Sequence, residues 1–204
     1  MDEAKLDFWF DFASTYSYLS AMRIEQLAEN AGVTVEWRPF LLGPIFAAQG
    51  WNNSPFNIYP SKGRYMWRDM ERRAAQFGIS FNRPDPGDPR MFPQHSVLAA
   101  RLALIAIDEG QGAEFCRAVF SAEFADGRDI SNEATLTGIL KGLGLDPDAV
   151  FAAALAQENK TRLRAQTEAA MEKGLFGAPS FMVGEELFWG DDRLEDAIAW
   201  AERI

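Results

Sequence analysis

Cysteine and histidine are nearly missing from this chain: Cys116 and His95 are its single residues of each kind among 204. A lone cysteine excludes an intramolecular disulfide framework, and one cysteine with one histidine excludes the usual zinc-site spacings, so no metal is expected. Cations are in deficit too, with 20 Lys and Arg against 30 Asp and Glu and a net charge of −10. An anionic body repels phosphate backbones and anionic lipid, so nucleic acid and membrane surfaces find no electrostatic footprint here. No apolar run is long enough to span a bilayer, and Met1–Lys5 lacks the pattern of a secretory signal. A cytoplasmic setting is expected, because reducing compartments are where cysteine-poor chains are at home. What remains is an ordinary globular composition, 48% hydrophobic and 25% charged, sized for one domain with an insertion or two small lobes on a shared core.

The hydrophobic pattern divides this chain into three regions. Leu6–Phe12 reads as an aromatic strand, Ser14–Ala31 as a helix stopped by Asn30 and Gly32, and Val33–Phe40 as a second strand. That is a strand–helix–strand unit of the length a parallel crossover needs. Residues 41–60, punctuated by Gly43, Pro44, Gly50, Pro55 and Pro60, read as a long loop. From Lys62 to about Gly174 the pattern is helical. Ser96–Asp108 predicts a buried helix after a connector holding Pro84, Pro86, Pro89 and Pro93, and a break at Gly142, Gly144 and Pro147 separates a further pair of helices. Ser180–Val183 and Glu186–Trp189 flank Gly184-Glu185 as a hairpin, and Asp191–Arg203 closes as a helix. The order predicts an α/β protein with a thioredoxin fold (βαβ…αββα) split by an all-helical insertion. Residues 1–60 and 175–204, with a flanking helix over 160–174, would form the thioredoxin-like domain, and 61–159 the insertion.

Two places stand out chemically. Ser14 lies at the join of the first strand and helix, where α/β sheets meet ligands and where a helix N-terminus favours anions; taken alone it reads more readily as an N-cap. Gly177-Ala178-Pro179 suits a turn with a cis bond before Pro179, which would turn the backbone of Ala178 toward a ligand; taken alone it also reads as an edge-strand proline. Together they make the thioredoxin arrangement, with Ser14-Thr15-Tyr16-Ser17 where redox members carry Cys-x-x-Cys. With serine at both sulfur positions, thiol–disulfide exchange by the protein itself is excluded at this turn. Cys116 lies in a helical pattern and reads as a small core residue. His95 reads as a cap or core polar group with possible access to substrate. Trp51, Phe56, Tyr65 and Trp67 read as core or dimer contacts, or as an aromatic pocket wall.

Five stretches carry a resemblance over nearly the whole chain: Phe10–Leu19, Trp37–Phe40, Asn53-Ser54-Pro55 with Lys62-Gly63, Phe176–Pro179, and Leu187–Arg193. In order and spacing they resemble the kappa-class glutathione transferases and the 2-hydroxychromene-2-carboxylate isomerases. Thr15 departs from a frequent proline, and Gln94-His95-Ser96 from an asparagine that often precedes the serine in the isomerases. The resemblance implies a glutathione cofactor whose sulfur takes a hydrogen bond from Ser14, the catalytic residue. It implies Asn53 and Lys62 at the glycyl end, the backbone of Ala178 before Pro179 at the cysteinyl unit, and Asp191 and Asp192 at the γ-glutamyl ammonium. Without it, Asn53 is a turn residue, Lys62 a solvated charge, and the two aspartates helix caps. It further implies a homodimer acting on an aromatic 2-oxo acid or a related electrophile in aromatic-compound breakdown. A transferase or peroxidase on other electrophiles, and a non-catalytic glutathione-binding module, are the alternatives.

Overall fold

The computed structural model describes residues 4–84 and 92–203; Pro86 and Pro89 of the expected connector lie outside them. Its sheet has the strand order β2-β1-β3-β4, built from β1 (Lys5–Phe10), β2 (Thr34–Pro39), β3 (Ser180–Val183) and β4 (Glu186–Trp189). β1 runs parallel to β2 with Phe8 opposite Trp37, and antiparallel to β3 with Phe8 opposite Phe181. The expected crossover and hairpin are both present.

Aromatic side chains explain why β1 is the central strand. Phe8 and Phe10 are fully buried on one face and Trp9 is 3% exposed on the other. Phe8 meets Trp37 and Phe181 at ring distances of 5.0 and 5.5 Å, while Phe10 and Phe12 reach Phe120 at 5.7 and 4.9 Å. Trp9 packs with Phe40, Ala170, Leu175 and Met182 in a second cluster. Each such ring contributes about 1.5–3 kcal/mol when removed from water, so the two-sided burial of β1 holds the sheet at the middle of the molecule. Cys116 is fully buried as expected, and burial pushes its thiol well above the ordinary value, leaving it a core residue.

Between β1 and β2 the expected single helix is two, α1 (Thr15–Ala21) and α2 (Ile24–Ala31). The break has a physical cause: Arg23 folds back, its Nε donating to the Leu19 carbonyl at 3.3 Å, and satisfies a group left orphaned at the end of α1. Gly32, at φ +66°, ends α2 in the left-handed conformation that glycine adopts freely.

The expected long loop over 41–60 is also corrected, since it folds into α3 (Leu42–Ala48) and α4 (Pro55–Ile58) and runs into α5 (Pro60–Phe77). Its prolines read as breakers in the sequence, but Pro44, Pro55 and Pro60 all lie in first turns, where a missing N–H costs nothing. Five helices come next: α6 (Val97–Asp108), α7 (Gly112–Phe124), α8 (Glu133–Gly142), α9 (Pro147–Leu155) and α10 (Gln157–Glu172). After β4 a 3₁₀ turn, Asp191–Arg193, precedes α11 (Leu194–Ala201), so the closing helix begins later than its sequence pattern indicates. No described helix is long and apolar enough to cross a membrane.

Candidate active site

The carboxyl end of β1 turns sharply into α1, with the Ser14 N–H donating to the Asp11 carbonyl at 2.9 Å. Ser14 caps α1: its Oγ accepts from the Ser17 N–H at 3.2 Å. The same hydroxyl donates to the Ala178 carbonyl at 3.0 Å, across 164 residues of chain. The Ala178–Pro179 peptide is cis. Capping and contact with Ala178 therefore coexist at Ser14, which is 7% exposed. Beside it, Gly177 leaves room for the indole of Trp189, which a Cβ there would strike; Trp189 in turn packs edge-on against Phe176 at 4.9 Å.

One face of α5 lies along this turn. Thr15 Oγ1 donates to Met66 Sδ at 3.0 Å, and the Tyr16 hydroxyl donates to Asp69 Oδ2 at 3.0 Å. Burial, with the neighbouring Asp69 charge, pushes the Tyr16 phenol far above its ordinary value, so it remains a donor. Lys62 is one turn before Met66 on the same helical stripe, exposed, with Nζ 4.9 Å from the Tyr59 ring centre. Asn53, also exposed, precedes α4, where its Oδ1 accepts from Ser54 N–H at 2.7 Å and from Asn57 Nδ2 at 3.0 Å; Phe56 of α4 meets Tyr16 at 6.3 Å. Lys62 thus stands on α5, which packs against the first turn of α1, and Asn53 stands just before α4, which reaches Tyr16 through Phe56. His95 is exposed, and the N-cap of α6 is its neighbour Ser96.

The two aspartates differ in their surroundings. Asp191 is 2% exposed, and its carboxylate takes four hydrogen bonds. Oδ1 accepts from Ser20 Oγ at 3.0 Å and from Arg23 at 2.7 Å; Oδ2 accepts from Arg73 Nε at 2.8 Å and from a second Arg73 nitrogen. A carboxylate offers about four lone-pair sites, and those of Asp191 are all engaged by groups of the protein itself. Asp192, with a side chain 59% exposed and 3.5 Å from Arg193, keeps its acceptors available. Arg23 and Arg73, both stacked on Phe77 at 3.8 and 5.4 Å, are partners that sequence reasoning missed. Only the spacing signalled one of them: Arg73 stands three helical turns beyond Lys62.

Asp11 was missed too, although it lies inside a matching stretch. It is 4% exposed; Oδ1 accepts from the Ala13 N–H at 3.0 Å and Oδ2 from the Leu42 N–H at 2.8 Å, and Ser96 is a third donor. Burial raises its carboxyl above the ordinary carboxylate value, with the bonds from Leu42, Ser96 and Ala13 pulling the other way. A carboxyl whose folded pKa is raised contributes stability below its unfolded pKa of about 3.9 and loses it as pH climbs through the folded value. The stability difference between wild type and Asp11→Asn, from urea unfolding at a series of pH values, is therefore expected to shrink as pH rises from acid. A difference that stays constant with pH would show that Asp11 does not titrate in this way.

The fold has known relatives. Residues 5–198 match the model of the DSBA-like thioredoxin domain. The chain is 31% identical over 194 residues to a 2-hydroxychromene-2-carboxylate isomerase of Sphingobium xenophagum, covering 93% of this chain and 94% of that one. It is 25% identical to glutathione S-transferase kappa 2 of Caenorhabditis elegans, covering 92% and 87%. A solved 2-hydroxychromene-2-carboxylate isomerase superposes with a TM-score of 0.85 at 28% identity, over 98% of this chain and 95% of that one. With a family model spanning nearly its whole length and a serine pair where the redox members keep sulfur, the chain belongs to the DSBA-like thioredoxin family and is related within it to the 2-hydroxychromene-2-carboxylate isomerases and kappa-class glutathione transferases.

Proposed function

We propose that this protein binds glutathione at the Ser14 turn beside α5 and uses it to isomerise an aromatic 2-oxo acid of the 2-hydroxychromene-2-carboxylate type. The observation that carries the reading is the Ser14–Ala178 hydrogen bond of 3.0 Å, because it joins the expected sulfur donor to the expected backbone partner. The donor set also fits the ligand in charge. Lys62 would face the glycyl carboxylate beside Asn53, and Asp192 would face the γ-glutamyl ammonium. Asp191 acts behind it by pinning the turn.

Bound glutathione would supply a thiolate whose addition and expulsion turns a substrate double bond into a rotatable single bond. The role of the protein is to make that thiolate available at neutral pH. In the free protein the Ser14 proton is engaged by the Ala178 carbonyl. A cysteinyl N–H taking over that carbonyl frees the hydroxyl to turn toward the sulfur, while the Ser17 N–H goes on bonding Ser14 Oγ from behind. The N-terminal end of α1 adds its partial positive charge.

The test is an assay of the purified protein with the chromene acid and with a chlorinated dinitrobenzene, each with and without glutathione. Isomerisation of the acid only when glutathione is present is the expected result. Conjugation of the chlorinated compound alone would move the reading to a transferase, and binding without turnover to a non-catalytic module. Lys62→Met is expected to raise the glutathione dissociation constant several-fold, in line with about 0.2–1 kcal/mol for a partly exposed ion pair, and to weaken its salt dependence. Identical titrations of both proteins at low and high salt would make Lys62 a surface charge only.

A further inference from the structure

A cleft lies away from the residues assigned above, between the start of α3, the first turns of α6 and the length of α10. Its volume is about 330 Å³, within the range of small-molecule sites. Leu41, Leu163 and Met171 give it an apolar floor, and Arg101, Lys160 and Arg164 bring three cations to its walls against the single acid Glu168. Among the described residues none of these cations has a hydrogen-bond or ion-pair partner, and the Arg101 Nε is shut off from solvent with nothing to bond. In a protein of net charge −10, with so many acids at hand, three unneutralised cations in one concavity are out of keeping with a merely solvated face.

The cleft is also held in shape. Asn159, 4% exposed, donates to the carbonyls of Arg101 and Ala154 at 3.0 and 3.2 Å, fixing the backbone that carries Arg101 against the start of α10. The Leu41 N–H bonds Thr167 Oγ1 at 3.3 Å, tying the entry of α3 to the same helix. A carboxylate is the group whose geometry matches a guanidinium fork, and the terminal nitrogens of Arg101, unlike its Nε, are not closed off from solvent.

We infer that this cleft is a binding site for a small amphipathic carboxylate, its acid group on Arg101 with Lys160 and Arg164 beside it and its apolar body against Leu163 and Met171. The inference is independent of the reading of Ser14.

Benzoate is the probe, with benzyl alcohol as its uncharged counterpart, titrated calorimetrically into the full chain with and without saturating glutathione. Benzoate is expected to bind in both states, with an affinity that falls as salt rises, and benzyl alcohol much more weakly. Arg101→Met should weaken benzoate by about tenfold or more, the equivalent of one charge-assisted hydrogen bond. Arg164→Glu, at an exposed position that the fold does not need, should weaken it while thermal melting stays unchanged. No benzoate binding, equal binding of benzyl alcohol, displacement by glutathione, or full affinity in Arg164→Glu would each overturn the assignment.

Discussion

Replacing Ser14 with Ala is expected to lower turnover at neutral pH by between about tenfold and about a hundredfold while leaving glutathione affinity within a few-fold. The size comes from the worth of a hydrogen bond to a charged group, about 1.5–3 kcal/mol, acting on a thiol whose unperturbed pKa is about 8.5. In the proposed reading the affinity is kept because Ser14 would touch only the sulfur end of a ligand that Lys62, Asn53, Ala178 and Asp192 would hold elsewhere. The loss should shrink as pH rises, since a thiolate that forms unaided no longer needs the donor. A helix cap alone predicts otherwise: losing it costs about 1 kcal/mol of stability and leaves the pH–rate profile unmoved. Near-normal turnover in Ser14→Ala, or a loss that is the same at every pH, would leave Ser14 a cap.

The second large effect is expected at Asp191, and it is one of stability. The Asp191 side chain is 1% exposed and bridges Arg23 of the α1–α2 junction to Arg73 of α5. These three elements meet at no other buried charge among the described residues. Asp191→Asn keeps the shape but leaves two arginines around a neutral amide that points donors at them, and breaking such a pair costs about 3 kcal/mol or more. In a chain of this size that corresponds to a melting point lower by about 6–12 °C. Asp192→Asn is expected to do the reverse, leaving the melting point alone and raising the glutathione constant several-fold. A stable Asp191→Asn protein would show that the arginines find other partners. An Asp192→Asn protein with unaltered glutathione binding would move the ammonium contact elsewhere.

These two neighbours mark how far the sequence could be read. The aromatic run of β1, the Gly184-Glu185 turn and the spacing of α6 are local patterns, and each put its element within a residue or two of its place. Ser14 and Ala178 were legible because a turn after a strand and a Gly-Ala-Pro before a hairpin are themselves local signals. Asp191 and Asp192 carry the same side chain one position apart, and nothing local tells which turns inward. That depends on Arg23 and Arg73, the latter 118 residues away. Arg73 in turn looks in the sequence like Arg68 and Arg72, which pair with Glu71 and Asp69 at the surface. The same holds for Asp11, whose burial depends on Leu42 and Ser96 arriving from later in the chain. The prolines at 44, 55 and 60 misled for a different reason: a proline that breaks a helix and one that begins it are the same residue, distinguished only by whether the next residues go on to coil.

The central claim is that the Ser14 turn lowers the thiol pKa of bound glutathione. Its most direct measurement is the ultraviolet absorbance of the thiolate, titrated against pH for glutathione on the wild-type protein and on Ser14→Ala. The expected result is a pKa on the wild type clearly below the free value of about 8.5, returning upward by about one unit or more on Ser14→Ala. The same thiolate pKa on both proteins would contradict it.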